Sequence, residues 1–158
     1  LGGMRTNELV AYAKNGFIDT DEKPDFITVL MGTNDWGNNR TLAEFEADVS
    51  ELMDILQSKY PESKIVFLTP LYRDHFGERT FIPSGMVNKN GNHLYEYSDI
   101  IKKQAAAHNV AVIELDENTY INADNIREYT ADGLHPNTAG NKLIADRLYQ
   151  PLMEVIQK

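Results

Sequence analysis

The sequence predicts an α/β fold built on an open parallel sheet, and three observations carry that expectation. Phe26–Met31, Lys64–Thr69 and Val110–Leu115 are runs dominated by β-branched and other apolar residues, the pattern of strands covered on both faces. Around them lie stretches with apolar residues three and four positions apart, the period of a helix with one buried stripe. The two patterns alternate with no internal repeat and no low-complexity linker, and strands separated by helices pair in parallel through right-handed crossovers. A single domain over residues 1–158 is expected.

Arg5–Lys14 reads as the first helix, stopped by Asn15-Gly16. Lys23-Pro24 breaks the chain ahead of the first strand, Phe26–Met31. From about Thr41 to Tyr60, Leu42, Phe45, Val49, Leu52, Met53 and Leu56 share one face of a second helix. Glu44 sits in its first turns, where a carboxylate suits the helix dipole, and Pro61 ends it. The second strand leads into a long connection, Tyr72 to His93, and a third helix, from about Leu94 to His108, precedes the third strand. The closing helix starts near Asn137, carries Leu143, Ile144 and Leu148, and is expected to kink or end at Pro151.

At 158 residues and 42% hydrophobic content the chain can bury the core of one domain. A net charge of −9 argues against a nucleic-acid partner, which needs clustered Lys and Arg, and disfavours an anionic lipid surface. No apolar stretch approaches the length of a transmembrane helix. The absence of cysteine excludes disulfides and thiolate metal sites without fixing the compartment. Asp19, Asp21 and Glu22 lack the glycine and terminal glutamate of an ordered calcium loop, so no metal and no cofactor is expected.

Two segments carry chemistry. In Asp132-Gly133-Leu134-His135-Pro136 the carboxylate stands three residues before the imidazole, close enough to accept its Nδ1–H and leave Nε2 free to take a proton from a hydroxyl. The same residues also suit a turn followed by a helix preface. In Gly32-Thr33-Asn34-Asp35 an apolar strand ends in polar residues, and at the carboxyl end of a parallel strand Asn34 would offer an amide donor to a ligand or to an oxyanion. A turn that caps the next helix is the other reading.

Gly32-Thr33-Asn34-Asp35 resembles block III of the SGNH (GDSL-type) hydrolases, and Asp132-Gly133-Leu134-His135 resembles their block V. Leu1-Gly2-Gly3-Met4-Arg5-Thr6, running into Asn7-Glu8-Leu9-Val10, is similar to block II. The resemblance implies a three-layer α/β/α fold with a five-stranded, flavodoxin-like, doubly wound parallel sheet, of which this chain would supply three strands. It implies an ester hydrolase with a Ser-His-Asp triad in which Asp132 orients His135, while Gly3 N–H and the Asn34 side chain bind the oxyanion.

Block I, the Gly-Asp-Ser segment carrying the nucleophile, has no counterpart. Ser50, Ser58, Ser63, Ser84 and Ser98 do not follow Gly-Asp at a strand end. The expectation is that about 30 or more residues, a βα unit and the beginning of a second, are missing ahead of Leu1. The chain alone is then inactive, and Phe26–Met31 is left as an apolar edge that invites self-association.

The connection from Tyr72 to His93 is long enough to be a substrate-binding element. It holds Tyr72, Arg73, His75, Phe76, Arg79 and Phe81, of which Tyr72 and Arg73, with Trp36 beside the Asn34 turn, are candidate substrate contacts. A solvated loop with tucked-in aromatics, and a core Trp, are the bland readings. Two functions are therefore weighed. One is a serine esterase or acyl hydrolase acting on a small or carbohydrate-linked acyl ester. The other is a non-catalytic module of the same fold that binds a glycan or acyl group. The sequence decides neither the localisation nor the ester.

Overall fold

A computed structural model of the chain describes residues 2–76 and 81–157, with the side chains of Glu117 and Asn118 left aside; Leu1 and Arg79 lie outside the described residues. The elements are α1 (Thr6–Lys14), β1 (Phe26–Leu30), α2 (Thr33–Gly37), α3 (Leu42–Lys59), β2 (Lys64–Leu68), α4 (Leu94–His108), β3 (Ala111–Ile113), α5 (Leu115–Thr119), α6 (Ile126–Tyr129) and α7 (Thr138–Ile156). The strands form one parallel sheet in the order β1-β2-β3, with Phe26 opposite Lys64, Leu30 opposite Leu68 and Leu68 opposite Ile113.

Alternation along β2 divides the interior into two cores. Ile65 and Phe67 point to the side holding Val10 and Ala13 of α1, Phe45, Val49, Leu52 and Met53 of α3, and Tyr97 and Ile101 of α4. Val66 and Leu68 point to the other, with Ile113, Leu115 and Leu148 of α7. Helices thus cover both faces of the sheet, giving the three layers expected.

Local chemistry accounts for the element ends. Thr41 Oγ1 accepts from Glu44 N at 3.2 Å and Glu44 Oε2 accepts from Thr41 N at 2.9 Å, a capping box that starts α3. Asn137 Oδ1 accepts from Gly140 N at 3.0 Å to start α7, and Asn109 at φ 53° ends α4 in the left-handed conformation.

Three expectations need correction. First, β1 is not covered on both sides. It is an edge strand among the described residues, so Leu30 is 55% exposed although its neighbour Val29 is buried. Second, Pro151 does not end α7, which continues to Ile156. Proline there forgoes a single bond to the Arg147 carbonyl, on a helix already held by Ile144, Leu148, Leu152 and Val155 against the second core. Third, the strand read as Val110–Leu115 shrinks to Ala111–Ile113, because Leu115 already belongs to α5.

Candidate active site

The carboxyl ends of the three strands open into a crevice of about 740 Å³, where ligands bind in open α/β sheets. Gly3 and Met4, Gly32 to Asn34, Pro70 and Leu71, Phe81, and Leu134 to Pro136 line it. Among the sequence-predicted residues it brings together Gly3, Asn34 and His135 on one surface, with Asp132 directly behind His135.

The Asp132–His135 segment is a tight loop ahead of α7. Asp132 Oδ1 accepts from Leu134 N at 3.1 Å and from His135 N at 2.9 Å, and Oδ2 lies 2.8 Å from His135 Nδ1. One carboxylate therefore folds the loop and holds the imidazole with its other edge. Burial alone would raise the Asp132 carboxyl. The His135 N–H, the His135 ring and the Leu134 N–H outweigh that and hold it down at about 2. An ionised carboxylate only accepts, so Nδ1 carries the proton, and in the neutral imidazole Nε2, which has no hydrogen-bond partner among the described residues, presents a lone pair. The imidazole is 60% exposed, open to the crevice.

Because Asp132 is depressed from 3.8 to about 2, its contribution to stability is complete above about pH 4 and disappears as the pH falls towards 2. Denaturant melts of the chain and of Asp132→Asn should accordingly converge over that interval and stay apart above it. Equal separation at pH 2 and pH 6 would show that the carboxylate is not the source.

The Asn34 side assembles differently. Gly32 turns the chain at φ 103° beyond β1, where a Cβ would meet Pro70 Cγ at 3.1 Å, and α2 follows at once. Asn34 Nδ2 donates to Met4 O at 3.0 Å, so the amide already fastens the glycine turn in which Gly3 takes φ 80°. The second Nδ2 proton remains for the crevice. Asp35, fully buried, accepts from Thr6 N at 3.0 Å and from Thr6 Oγ1 at 2.9 Å, and Arg40 Nε lies 3.5 Å away. Its carboxyl is raised by burial, against the pull of the Thr6 bonds and Arg40. Neighbouring residues thus clamp the Gly3 segment against the strand end, and both readings of this stretch, turn and amide donor, are compatible with it.

The three proposed substrate contacts fall elsewhere. Trp36 is wholly buried and its Nε1 donates to Asn92 O at 2.8 Å, which makes it a core residue. Tyr72 is half-buried and does not line the crevice; burial, then Asp74 and Asp124, raises its hydroxyl. Arg73 is 4% exposed and lies behind the wall. Phe81, noted in the sequence only as one aromatic of a long connection, does line the crevice, its ring meeting His135 edge-on at 6.1 Å.

Among the described residues, no serine lines the crevice. Ser50 lies 3.3 Å from His108 Nε2, Ser63 donates to Pro24 O, Ser84 Oγ accepts from Arg73 N at 2.8 Å, Ser98 is buried on α4, and Ser58 sits on α3. Among the described residues no group of three His, Asp or Glu could hold a metal ion, and no helix is long and apolar enough to cross a membrane.

Residues 1–143 match the GDSL-like Lipase/Acylhydrolase family. None of the curated proteins compared with the chain matches it. Among solved structures, a protein from Lactobacillus plantarum superposes with a TM-score of 0.78 at 25% identity, over 90% of this chain and 72% of its own. A lipase/acylhydrolase from Enterococcus faecalis gives 0.65 at 25%, over 95% and 71%. An acetyl xylan esterase gives 0.72 at 22%, over 96% and 78%, an identity at which the likeness is one of fold.

Proposed function

The chain belongs to the GDSL-like lipase/acylhydrolase family of ester hydrolases, and from that premise we propose that its crevice is the His-Asp half of a serine esterase site. The observation that carries this reading is the 2.8 Å contact between Asp132 Oδ2 and His135 Nδ1 on a crevice shared with Asn34 and Gly3. In the proposed reaction a serine hydroxyl attacks the ester carbonyl while His135 Nε2 takes its proton. Gly3 N–H and Asn34 Nδ2 receive the negative oxygen, and the imidazolium, steadied by Asp132, returns the proton to the leaving alkoxide. Water then repeats the cycle on the acyl-enzyme.

The serine would come from outside these 158 residues, on a strand pairing with the open edge of β1, whose carboxyl end borders the crevice. Two copies of the chain would pair along the same edge when that strand is not supplied. Small or carbohydrate-linked acyl esters are the favoured substrates, supported by the net charge of −9, which repels anionic lipid, and by the fold shared with an acetyl xylan esterase. The second reading, a glycan- or acyl-binding module, is favoured by the absence of any serine from the crevice lining.

One experiment separates them. The 158-residue chain should not be labelled by a fluorophosphonate, whereas a protein carrying the serine strand should be labelled once and should hydrolyse p-nitrophenyl acetate. In that protein Asn34→Ala should lower kcat by about 100- to 1,000-fold, the loss of one oxyanion donor. Labelling of Ser50, Ser58, Ser63, Ser84 or Ser98, or a folded, serine-bearing protein that turns nothing over, overturns the esterase reading.

A further inference from the structure

Arg73 is a buried cation, and no carboxylate among the described residues lies within ion-pairing distance of it. Its Nε, fully enclosed, has no hydrogen-bond partner among the described residues, and burial lowers the guanidinium to about 10. Leaving a buried charge unpaired is costly, and a methionine would fill the same volume without that cost. What the site uses is therefore the planar, forked shape of the guanidinium.

That shape joins the two sides of the crevice. Nη1 donates to Thr33 O and to Thr33 Oγ1, both at 3.2 Å, and Thr33 directly precedes Asn34. One ring, Trp36, lies 5.0 Å from the guanidinium carbon, and a second, Phe81, lies 5.2 Å from it. Phe81 in turn meets His135 edge-on at 6.1 Å. The backbone repeats the connection. Arg73 N donates to Ser84 Oγ and Ser84 N donates to Arg73 O, each at 2.8 Å, closing the loop that carries Phe81. Asp74 N donates to Gly133 O at 2.9 Å in the loop that carries His135.

We propose that Arg73 is a positioning residue, holding the Asn34 turn through Thr33 and the His135 ring through Phe81, so that amide donor and imidazole keep a fixed separation across the crevice. The role assigned to it rests on the esterase reading above; the coupling itself does not. Lysine could not substitute, since a compact ammonium cannot stack on two rings while reaching both Thr33 oxygens.

The deciding measurement is NMR on the 158-residue chain. Arg73→Lys and Arg73→Met should move both the Asn34 side-chain amide and the His135 ring resonances, while the methyl signals of Val49 and Leu52 stay in place. Phe81→Leu, which spares the Thr33 bonds, should move His135 and leave Asn34 unchanged; it decides the matter if the Arg73 variants fail to fold. In the serine-bearing protein Arg73→Lys should lower kcat about 10- to 100-fold with KM within about threefold, the pattern of a misplaced group and not of a lost substrate contact. Unmoved Asn34 and His135 signals with only a lower Tm would make Arg73 a packing residue and overturn the proposal. A large rise in KM with kcat unchanged would overturn it in favour of direct substrate contact. If Asn34→Ala and His135→Ala also leave kcat unchanged, the esterase reading fails, and the NMR result still stands or falls alone.

Discussion

Asp132→Asn is expected to lower kcat about 10,000-fold in the serine-bearing protein while leaving the 132–135 loop folded. Asp132 Oδ1 accepts from the backbone N–H groups of Leu134 and His135, and an asparagine oxygen can keep accepting them. Oδ2 faces His135 Nδ1 at 2.8 Å, where asparagine would present its NH₂. That donor stabilises the tautomer whose proton sits on Nε2, which leaves no lone pair for the serine hydroxyl. His135→Ala should abolish base catalysis outright, and adding Asp132→Asn to it should cost little more, because residues that act as one unit are not additive. Kinetics alongside thermal melts make the comparison. If Asp132→Asn melts several degrees lower and keeps near-parental kcat, Asp132 is a loop clip and the proposed triad is wrong.

The Asp132–His135 contact was legible in sequence because the motif encodes its own geometry. The Asp-x-x-His spacing closes on itself through bonds from Asp132 to Leu134 and His135, so no distant part of the fold is needed to foresee that contact. The long elements were legible for a similar reason. Thr41-x-x-Glu44 writes its capping box into four residues, and the stripe from Phe45 to Leu56 repeats often enough to fix α3. By contrast α2, α5 and α6 span only four or five residues, too few for any period to emerge.

Trp36 shows why adjacency misleads. It stands two positions after Asn34, and on a helix two positions are about 200° of rotation, so when Asn34 faces the crevice Trp36 faces the core. Nothing in the sequence announced α2, and without it the two side chains read as neighbours on one wall. Arg73 was legible as a cation after a strand but not as one pinned by Thr33, Trp36 and Phe81, contacts set by α2 and by a separate stretch of the connection. The edge position of β1 was expected from the missing Gly-Asp-Ser block and not from the run itself. An apolar run does not say which strand lies beside it, and only the β1-β2-β3 order exposes Leu30.

The second large effect concerns a glycine between the two halves of the His-Asp loop. Gly133 takes φ 89°, and a Cβ there would lie 2.1 Å from Asp74 O, 2.7 Å from Asp74 C and 3.2 Å from His75 Cα. All three are backbone atoms, so no side chain can swing aside. The approach is close because the two segments are bonded, Asp74 N to Gly133 O at 2.9 Å, while Gly133 N donates to Thr130 Oγ1 at 3.0 Å. Gly133→Ala must therefore push the 132–135 loop off the segment that follows β2. The left-handed conformation and the clash together should cost about 2–4 kcal/mol, which for a domain of this size lowers Tm by roughly 5–15 °C. Since the displaced loop carries the imidazole, and a misplacement of about 1 Å can cost about 100-fold, kcat should fall with it in the serine-bearing protein. Gly85→Ala is the control, because no atom lies within 4 Å of a Cβ built at Gly85. Its stability should stay within about 0.5 kcal/mol of the parent. Urea melts of the two variants side by side test the packing; if Gly133→Ala unfolds where Gly85→Ala does, the 132–135 loop is not seated against Asp74, and the position of His135 in the crevice has to be redrawn.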